Sequence, residues 1–168
     1  GRPVQAAATV SLSGFCGIAS YEPEELVLTA GAGTPRSEIE PILKERGQCF
    51  AFEPADYSRL LGAGHAGTLG GMIANNSAGA RSIAYGLTAD HVEELDVVLA
   101  DGTRARLRRG APAPAAFEES RHLGALAHPP QLLRRVSGYN LDALNGPAPD
   151  WPRLLCGSEG TLAVTVEA

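Results

Sequence analysis

The chain has 168 residues, a formal net charge of −5 and a hydrophobic fraction of 44%. This length and apolar content support a buried core, and the acidic balance disfavours a general nucleic-acid-binding protein, which ordinarily presents a basic face. No apolar run approaches a membrane span and no signal peptide opens the sequence, so we expect a cytoplasmic protein. Because the sequence starts at Gly1 and stops in a strand-like stretch, we expect a fragment or an excised domain.

The first third of the chain predicts one strand and one helix. Residues 25–31, "ELVLTAG", form a short apolar run typical of a buried strand. A helix follows within residues 34–47, with Ile39, Ile42 and Leu43 on one face and Gly47 as its end.

The start of this helix has two alternatives. A start at Thr34-Pro35 places Pro41 inside the helix, where it costs roughly 3 kcal/mol. A capping box of Ser37 and Glu40 places the same proline in the first turn, where the harm is smaller. We favour the capping box.

Residues 92–107 carry the clearest structural signal, which is a β-hairpin. Alternating apolar residues precede Asp101 and Gly102, which form a tight turn, and "TRARL" alternates back. Asp96 is expected on a solvated strand face, and "RARLRR" is expected to be an exposed hairpin arm rather than a phosphate-binding patch.

The rest of the chain mixes loops with short elements. Residues 110–130 are rich in Ala and Pro and predict a surface excursion with one short helix around 115–127. Asp150 then caps a helical turn, "DWPRLL", in which Trp151 is expected to be a core or subdomain-contact residue. Residues 160–168 close the chain as a strand. Strands and helices mix without regular βαβ alternation, so we predict the α+β class.

The sequence predicts no metal site and assigns no catalytic residue. The cysteines form no C-x-x-C pair and are each expected to be buried in a reducing compartment; they are Cys16, Cys49 and Cys156. The histidines show no ligand spacing; they are His65, His91, His122 and His128. Ser158 lacks the G-x-S-x-G setting of a nucleophile elbow.

Two glycine-rich stretches are unusual for a packed domain, residues 67–86 and residues 157–164. Glycine permits positive φ and close backbone approach, and the amides of such loops bind anions, so the amides of residues 67–71 are predicted to face a phosphate. Side chains predicted to bond sugar or ring edges are those of Asn76, Ser77 and Ser82. Neither stretch is a Walker loop or a G-x-G-x-x-G fingerprint, and turns and close packing are the commoner explanation of either one alone.

Four motifs in sequence order make the signal more specific. They are "GTLGGMIANNSAGARSIAYG", "DHVEELDVVLADGT", "RRVSGYNLDAL" and "GSEGTLAV". The series closely resembles the FAD-binding (PCMH-type) domain of the vanillyl-alcohol-oxidase superfamily, and within it the FAD-linked D-lactate, glycolate and D-2-hydroxyglutarate dehydrogenases. The upstream "GIASYEPEELVLTAGAGTP" is similar to the glycolate oxidase flavin subunits. The matches span roughly residues 17–168, interrupted by the Ala/Pro-rich excursion.

The resemblance implies two α+β subdomains with FAD between them, here an abbreviated N-terminal subdomain in residues 1–62 and a second one in residues 63–168. By match of motif, residues 68–71 contact the pyrophosphate and ribityl chain, residues 76–86 continue that path, and residues 157–164 hold the adenine end. The full set of implied cofactor residues is Pro54, Gly67, Thr68, Leu69, Gly70, Gly71, Asn75, Asn76, Ser77, Gly79, Ala80, Ser82, Tyr85, Gly86, Gly157, Glu159, Gly160, Thr161 and Val164. Tyr139 either lies near the flavin, as in relatives, or is a packed tyrosine.

The sequence departs from the family at both ends. Relatives carry an N-terminal glycine-rich pyrophosphate loop, where this chain has residues 7–10, "AATV", or lacks the loop if "LSGFCG" aligns with the following strand. Weaker FAD binding is expected in either case, because β-branched residues fit such a loop poorly. The substrate-binding cap domain is also expected to be absent.

The resemblance implies an FAD-binding domain of an oxidoreductase that transfers hydride from a D-2-hydroxy acid to FAD. The implied partners are the hydroxy acid, through the missing cap domain, and an iron–sulfur subunit or domain. The alternative is a non-catalytic, degenerate flavin-domain scaffold subunit of a multisubunit oxidase.

Overall fold

A computed structural model describes residues 6–56, 58, 62, 67–112, 115, 117, 138–145 and 147–168. The strands are β1 (Ile18–Glu22), β2 (Val27–Ala30), β3 (Glu94–Val98), β4 (Arg104–Arg108) and β5 (Val164–Glu167). The helices are α1 (Arg36–Glu45), α2 (Leu69–Ala74), α3 (Ser82–Tyr85), α4 (Thr88–His91) and α5 (Trp151–Leu155), with a 3-10 turn at Leu141–Leu144. This mixture confirms the predicted α+β class.

Two antiparallel sheets are joined through the end of β2. One sheet is the β1–β2 hairpin, and the other has the strand order β4-β3-β5. Ala30 and Ala168 exchange two backbone hydrogen bonds, 2.8 and 3.1 Å long, and the Ala32 amide donates to the Val166 carbonyl at 2.8 Å. Residues directly after β2 therefore pair with β5, and hydrogen bonding runs continuously from the first hairpin into the three-stranded sheet.

The hairpin predicted in residues 92–107 is confirmed. Strands β3 and β4 pair from Glu94 with Arg108 to Val98 with Arg104. In the turn, Gly102 has φ 86° and the Asp101 carboxylate accepts from the Thr103 amide at 2.8 Å. The closing strand β5 and the short helix α5 are also confirmed, and the Asp150 side chain caps α5 by accepting from the Arg153 amide at 2.9 Å.

Asp96 was predicted on a solvated strand face, and this is wrong. The residue is buried, and the Arg104 guanidinium forms three hydrogen bonds with its carboxylate, of 2.5 to 3.0 Å. These bonds hold the pKa of the Asp96 carboxyl below its ordinary value. Arg104 lies diagonally across the ladder, since Arg106 is the residue directly opposite Asp96.

The favoured start of α1 at a Ser37 capping box is also wrong. The helix begins at Arg36 with extended Pro35 as its N-cap and without a side-chain cap, so Pro41 lies inside it. The reason is long-range: Pro35 pairs with Thr68, which fixes the chain up to the first helical residue. The alternative start at Thr34-Pro35 is the closer one. Gly47 ends the helix region as predicted, with φ 70°.

Buried apolar residues form a large and a small cluster. The large cluster surrounds Trp151, which is fully buried as predicted and donates its indole N–H to the Ala111 carbonyl at 3.0 Å. The small cluster contains Ala30, Ile39 and Leu43. Leu69 at the start of α2 packs against both.

Only one of the three cysteines is buried. Cys156 belongs to the large cluster, and burial raises the pKa of its thiol to about 12. The expectation is wrong for Cys16 and Cys49, which are exposed. Both lie in segments without regular structure, Cys16 just before β1 and Cys49 just after α1, where no packed face covers them. The predicted helix around 115–127 lies outside the described residues except at positions 115 and 117.

Candidate functional site

The first glycine-rich stretch folds as a short helix packed on the end of β2. Thr68 is the N-cap of α2, and its hydroxyl oxygen accepts from the Gly71 amide at 3.2 Å. The amides of Leu69 and Gly70 donate to the carbonyls of Thr34 and Ala32 at 3.0 and 2.7 Å. These three amides are therefore bonded within the protein. Cofactor contacts from this segment remain a prediction.

Some of the glycines are required by close backbone packing. A Cβ on Gly79 would lie 1.8 Å from the carbonyl oxygen of Glu53, and one on Gly70 would lie 2.8 Å from the Cβ of Ala32. No side chain fits at such distances. For Gly70 and Gly79, the explanation by close packing is confirmed.

Other glycines face open space. Gly67 has φ 95° and Gly160 has φ 76°, and among the described atoms nothing lies within 4 Å of a Cβ built on either. Positive φ at exposed, bare backbone lets a ligand approach the main chain without a side chain in the way. Cofactor contacts at these two positions remain a prediction.

The second glycine-rich stretch lies directly beside the first. The Gly157 amide donates to the Ile73 carbonyl and the Glu159 amide to the Ala74 carbonyl, both at 2.9 Å. A Cβ on Gly157 would also lie 3.3 Å from the Cβ of Asn76. Two stretches separated by some 70 residues in sequence thus form one continuous edge.

Left-handed backbone is concentrated along this edge. Three of the four non-glycine residues reported with positive φ belong to the segments that meet here, namely Glu53 (φ 52°), Asn76 (φ 46°) and Glu159 (φ 52°). Such conformations cost on the order of 1–3 kcal/mol each and are concentrated at functional sites. The conformation of the edge is therefore imposed by its neighbours.

Several predicted polar contacts are used to build the site. The Asn76 side-chain oxygen accepts from the Ala89 amide at 2.9 Å, at the start of α4. The Ser82 hydroxyl accepts from the Gly79 amide at 2.8 Å. Both side chains hold the turn between α2 and α4, whereas Asn75 and Ala80 are exposed beside them.

The turn around Tyr85 and Gly86 is held by α4. The Tyr85 carbonyl lies 2.7 Å from Nε2 of His91, whose ring stacks on Phe52 with centroids 5.5 Å apart. Burial opposes ionisation of Asp90, but the Leu87 amide and the Arg153 guanidinium outweigh it and lower the pKa of this carboxyl. The Tyr85 ring is half exposed.

Tyr139 lies at the second glycine-rich stretch rather than in the core. Its hydroxyl is 2.8 Å from the hydroxyl of Thr161, which donates to the Ser158 carbonyl at 2.5 Å. The ring is 44% exposed, so the packed alternative does not hold. Val164, which begins β5 three residues after Thr161, is also exposed.

Pro54 is tied to the site by a residue that the sequence did not indicate. Pro54 pairs with Gly79 in an isolated bridge, and its carbonyl accepts from Arg36 at 2.5 Å. A signal was present: an arginine in the first turn of a helix opposes the helix dipole, which suggests that another contact holds it there.

The N-terminal segment contacts the turn that follows β2. A Cβ on Gly33 would lie 2.4 Å from the Leu12 carbonyl oxygen, and one on Gly31 would lie 2.4 Å from that of Phe15. Residues 7–10 are exposed. Which family segment they match stays a prediction.

A cavity of about 640 Å³ lies between the first hairpin, α2 and the start of β3. Apolar residues such as Leu28 and Phe52 line it, and Leu69 alone of the predicted cofactor residues does so. The cavity therefore adjoins the first glycine-rich stretch through Leu69, Met72 and Ile73, and its other lining residues lie outside the two stretches.

Within the described residues, no three His, Cys, Asp or Glu side chains converge as a metal site would require. The same residues contain no helix long and apolar enough to cross a membrane. His65, His122 and His128 lie outside the described residues.

Comparison with known proteins identifies the class. A family described as "FAD binding domain" matches residues 1–108, so the chain belongs to this family and its cofactor is FAD. The resemblance inferred from the four motifs is confirmed.

Similar proteins include a glycolate oxidase subunit and two kinds of dehydrogenase. The chain is 32% identical to the glycolate oxidase subunit GlcE of Escherichia coli (strain K12), over 99% of this chain and 37% of that protein. It is 32% identical to a D-2-hydroxyglutarate dehydrogenase of Pseudomonas putida, over 86% of this chain and 16% of that protein. It is 26% identical to D-lactate dehydrogenase [cytochrome] 1, mitochondrial, of Saccharomyces cerevisiae, over 95% and 21%. The chain thus spans well under half the length of these relatives.

Proposed function

We propose that this chain is the cofactor-binding part of a flavin-dependent oxidoreductase that oxidises a D-2-hydroxy acid of the glycolate or D-lactate type. When bound, FAD supplies the chemistry by accepting a hydride from the α-carbon of the substrate. The task of these residues is to bind and orient the cofactor. The residues that contact the hydroxy acid and an iron–sulfur electron acceptor are proposed to lie outside them.

The binding surface is the edge formed by the two glycine-rich stretches. The observation that carries this proposal is the pair of hydrogen bonds from Gly157 and Glu159 to the end of α2. They give residues 67–86 and 157–164 one shared edge, as a single extended ligand requires. Gly160 offers backbone without a side chain on it.

The division into two subdomains, residues 1–62 and 63–168, is part of the proposal. The two separate apolar clusters support it, since the small one forms within the first range and the large one within the second. FAD would then lie along the boundary, near Pro54 and α2.

One observation favours the alternative, a scaffold subunit that binds no flavin. The amides of Leu69, Gly70 and Gly71 are already bonded within the protein, which leaves fewer donors for a pyrophosphate. The meeting of the two glycine-rich stretches weighs against the alternative, because a single extended ligand can then contact both.

A matched pair of glycine variants tests the binding surface. Gly160→Ala adds a methyl group at the proposed edge, and Gly102→Ala adds one in the β3–β4 turn, at a similar φ of 86° and with equally open surroundings. Both substitutions carry the same backbone strain, of about 1–2 kcal/mol. We expect Gly160→Ala to weaken FAD binding about tenfold and Gly102→Ala to leave it unchanged.

The measurement is the visible flavin absorbance that survives desalting after incubation with FAD, together with the Kd from flavin fluorescence. Wild-type protein that retains no flavin favours the scaffold. Equal effects of the two substitutions contradict the proposed edge. A further measurement tests the substrate class. It asks whether glycolate or D-lactate reduces the retained flavin when the substrate-contacting portion proposed above is added.

A further inference from the structure

Arg36 occupies an unfavourable place for a cation. It is the first residue of α1, where the positive end of the helix dipole repels positive charge. It is also only 5% exposed, and a buried guanidinium is costly unless its donors find partners. A residue that carries both costs must make contacts that compensate for them.

The contacts of Arg36 join two segments of the proposed site. Its backbone amide donates to the Gly67 carbonyl at 3.0 Å. Its side-chain Nη1 donates to the carbonyls of Pro54 and Ala55 at 2.5 and 3.3 Å. Nε lies 2.8 Å from a Glu40 carboxylate oxygen, outside hydrogen-bond alignment, so this pair is a charge contact.

Both segments continue directly into the binding edge. Gly67 begins the first glycine-rich stretch, and Pro54 pairs with Gly79 inside the same stretch. Glu53 beside it is left-handed and forms an ion pair with Arg81 at 3.1 Å. A shift of Pro54 therefore moves the backbone around Gly79.

We propose that Arg36 is a positioning residue for the cofactor, which fixes Pro54 relative to Gly67 and so pre-forms the edge that binds FAD. The proposal rests on the function proposed above. Pre-formed loops bind more tightly because less ordering is needed on binding. Arg36 acts through the backbone of these segments and is not itself a contact.

The geometry requires a guanidinium. Nη1 reaches two carbonyls while Nε faces Glu40, and the planar, multiply donating guanidinium permits both contacts at once. A lysine has a single ammonium and keeps the charge without this spread of donors. Arg36→Lys therefore isolates the positioning role, and Arg36→Met removes charge and hydrogen bonds together.

The experiment compares these variants with Leu43→Ala and Glu40→Gln. Leu43 is buried in the same helix, so its truncation destabilises α1 without contacting Pro54. Glu40→Gln removes the charge contact and keeps the bonds to the carbonyls. The readouts are the Kd for FAD, the visible circular dichroism of the bound flavin at saturating FAD, and the Tm.

We expect Arg36→Lys to raise the Kd about tenfold and to alter the flavin circular dichroism. Leu43→Ala should lower the Tm and leave the Kd and spectrum unchanged, and Glu40→Gln should change none of the three strongly. If Arg36→Met does not fold, Arg36→Lys decides.

The outcomes separate the two proposals. Wild-type protein that does not bind FAD overturns both. Wild-type protein that binds FAD, with an Arg36→Lys variant of unchanged Kd and spectrum, overturns the role of Arg36 alone. An equal loss of affinity in Leu43→Ala makes the effect one of helix stability and also overturns it.

Discussion

The two apolar clusters differ in how completely the described chain covers them. The cluster around Trp151 draws residues from α2, α4, β3, β4 and α5, and Leu95, Val97 and Leu107 in it are fully buried. The cluster around Ile39 has three buried members and borders the 640 Å³ cavity through Leu43. Leu26, at the cavity, is 76% exposed.

This difference indicates that one region determines the stability of the fold and another binds the cofactor. A closely packed core cannot relax around a deleted side chain, whereas a site beside a cavity already lacks some of those contacts. We therefore expect the large cluster to determine global stability. The proposed cofactor edge lies between the clusters, since Leu69 touches both.

The largest expected effect is that of Trp151→Ala. The indole is fully buried and its N–H donates to the Ala111 carbonyl, so truncation loses packing and leaves that carbonyl without this donor. We expect a loss of about 3–5 kcal/mol in the free energy of unfolding, measured by urea denaturation. Trp151→Phe, which keeps a ring against Phe117, serves as the milder control. A loss below about 1 kcal/mol for the alanine variant would contradict the assignment of the main core.

Two leucine truncations test the comparison directly. Leu107→Ala in the large cluster is expected to cost about 4 kcal/mol, and Leu43→Ala beside the cavity about 2 kcal/mol. Both residues are buried, at 0% and 7% exposure, so the difference measures how well each site is filled. Equal losses in urea denaturation would mean that the clusters are equally packed.

Gly79→Ala is the next effect in size. A methyl group cannot occupy a point 1.8 Å from the Glu53 carbonyl oxygen, so the backbone of residues 52–54 or 79–80 must move. We expect a loss of about 1–3 kcal/mol by urea denaturation and weaker FAD binding. Gly102→Ala, which meets nothing in the β3–β4 turn, is the control for adding a methyl group. Unchanged stability in Gly79→Ala would show that the contact yields easily.

The sequence predicted the elements that local pattern determines. The β3–β4 hairpin and the Asp150 cap follow from neighbouring residues, and the burial of Trp151 follows from its large apolar side chain. The start of α1 does not, because Pro35 is fixed by Thr68, some thirty residues away. The burial of Asp96 likewise depends on Arg104 across the ladder.

The sequence predicted which stretches form the candidate site, but it did not predict most of the contacts within it. Motif resemblance located the two stretches that meet at Gly157 and Ile73. It did not show that Gly70 and Gly79 serve packing, because the carbonyls against them belong to distant segments. The role of Arg36 was missed for the same reason, since the carbonyls that accept its hydrogen bonds follow it by eighteen residues or more.

The smallest effect is expected for Asp96→Asn. Bonds from Arg104 lower the folded-state pKa of Asp96, so its stabilising contribution is present above the ordinary pKa of about 4 and is lost as pH falls through the folded value. At pH 7 we expect a Tm lower by roughly 2 °C, and the difference should shrink towards pH 3. Glu94→Gln, which removes the more exposed ion pair with Arg106, should show less change. A Tm difference independent of pH would contradict the linkage.

The pairing of Ala30 with Ala168 sets a limit on how fast the chain folds. These residues lie far apart in sequence, yet each donates a backbone hydrogen bond to the other. A contact of this separation requires a large loop to close before it contributes, and high contact order slows folding. The joining of the first hairpin to β5 must therefore wait for this loop to close, and refolding kinetics should show completion of the sheet as a late step.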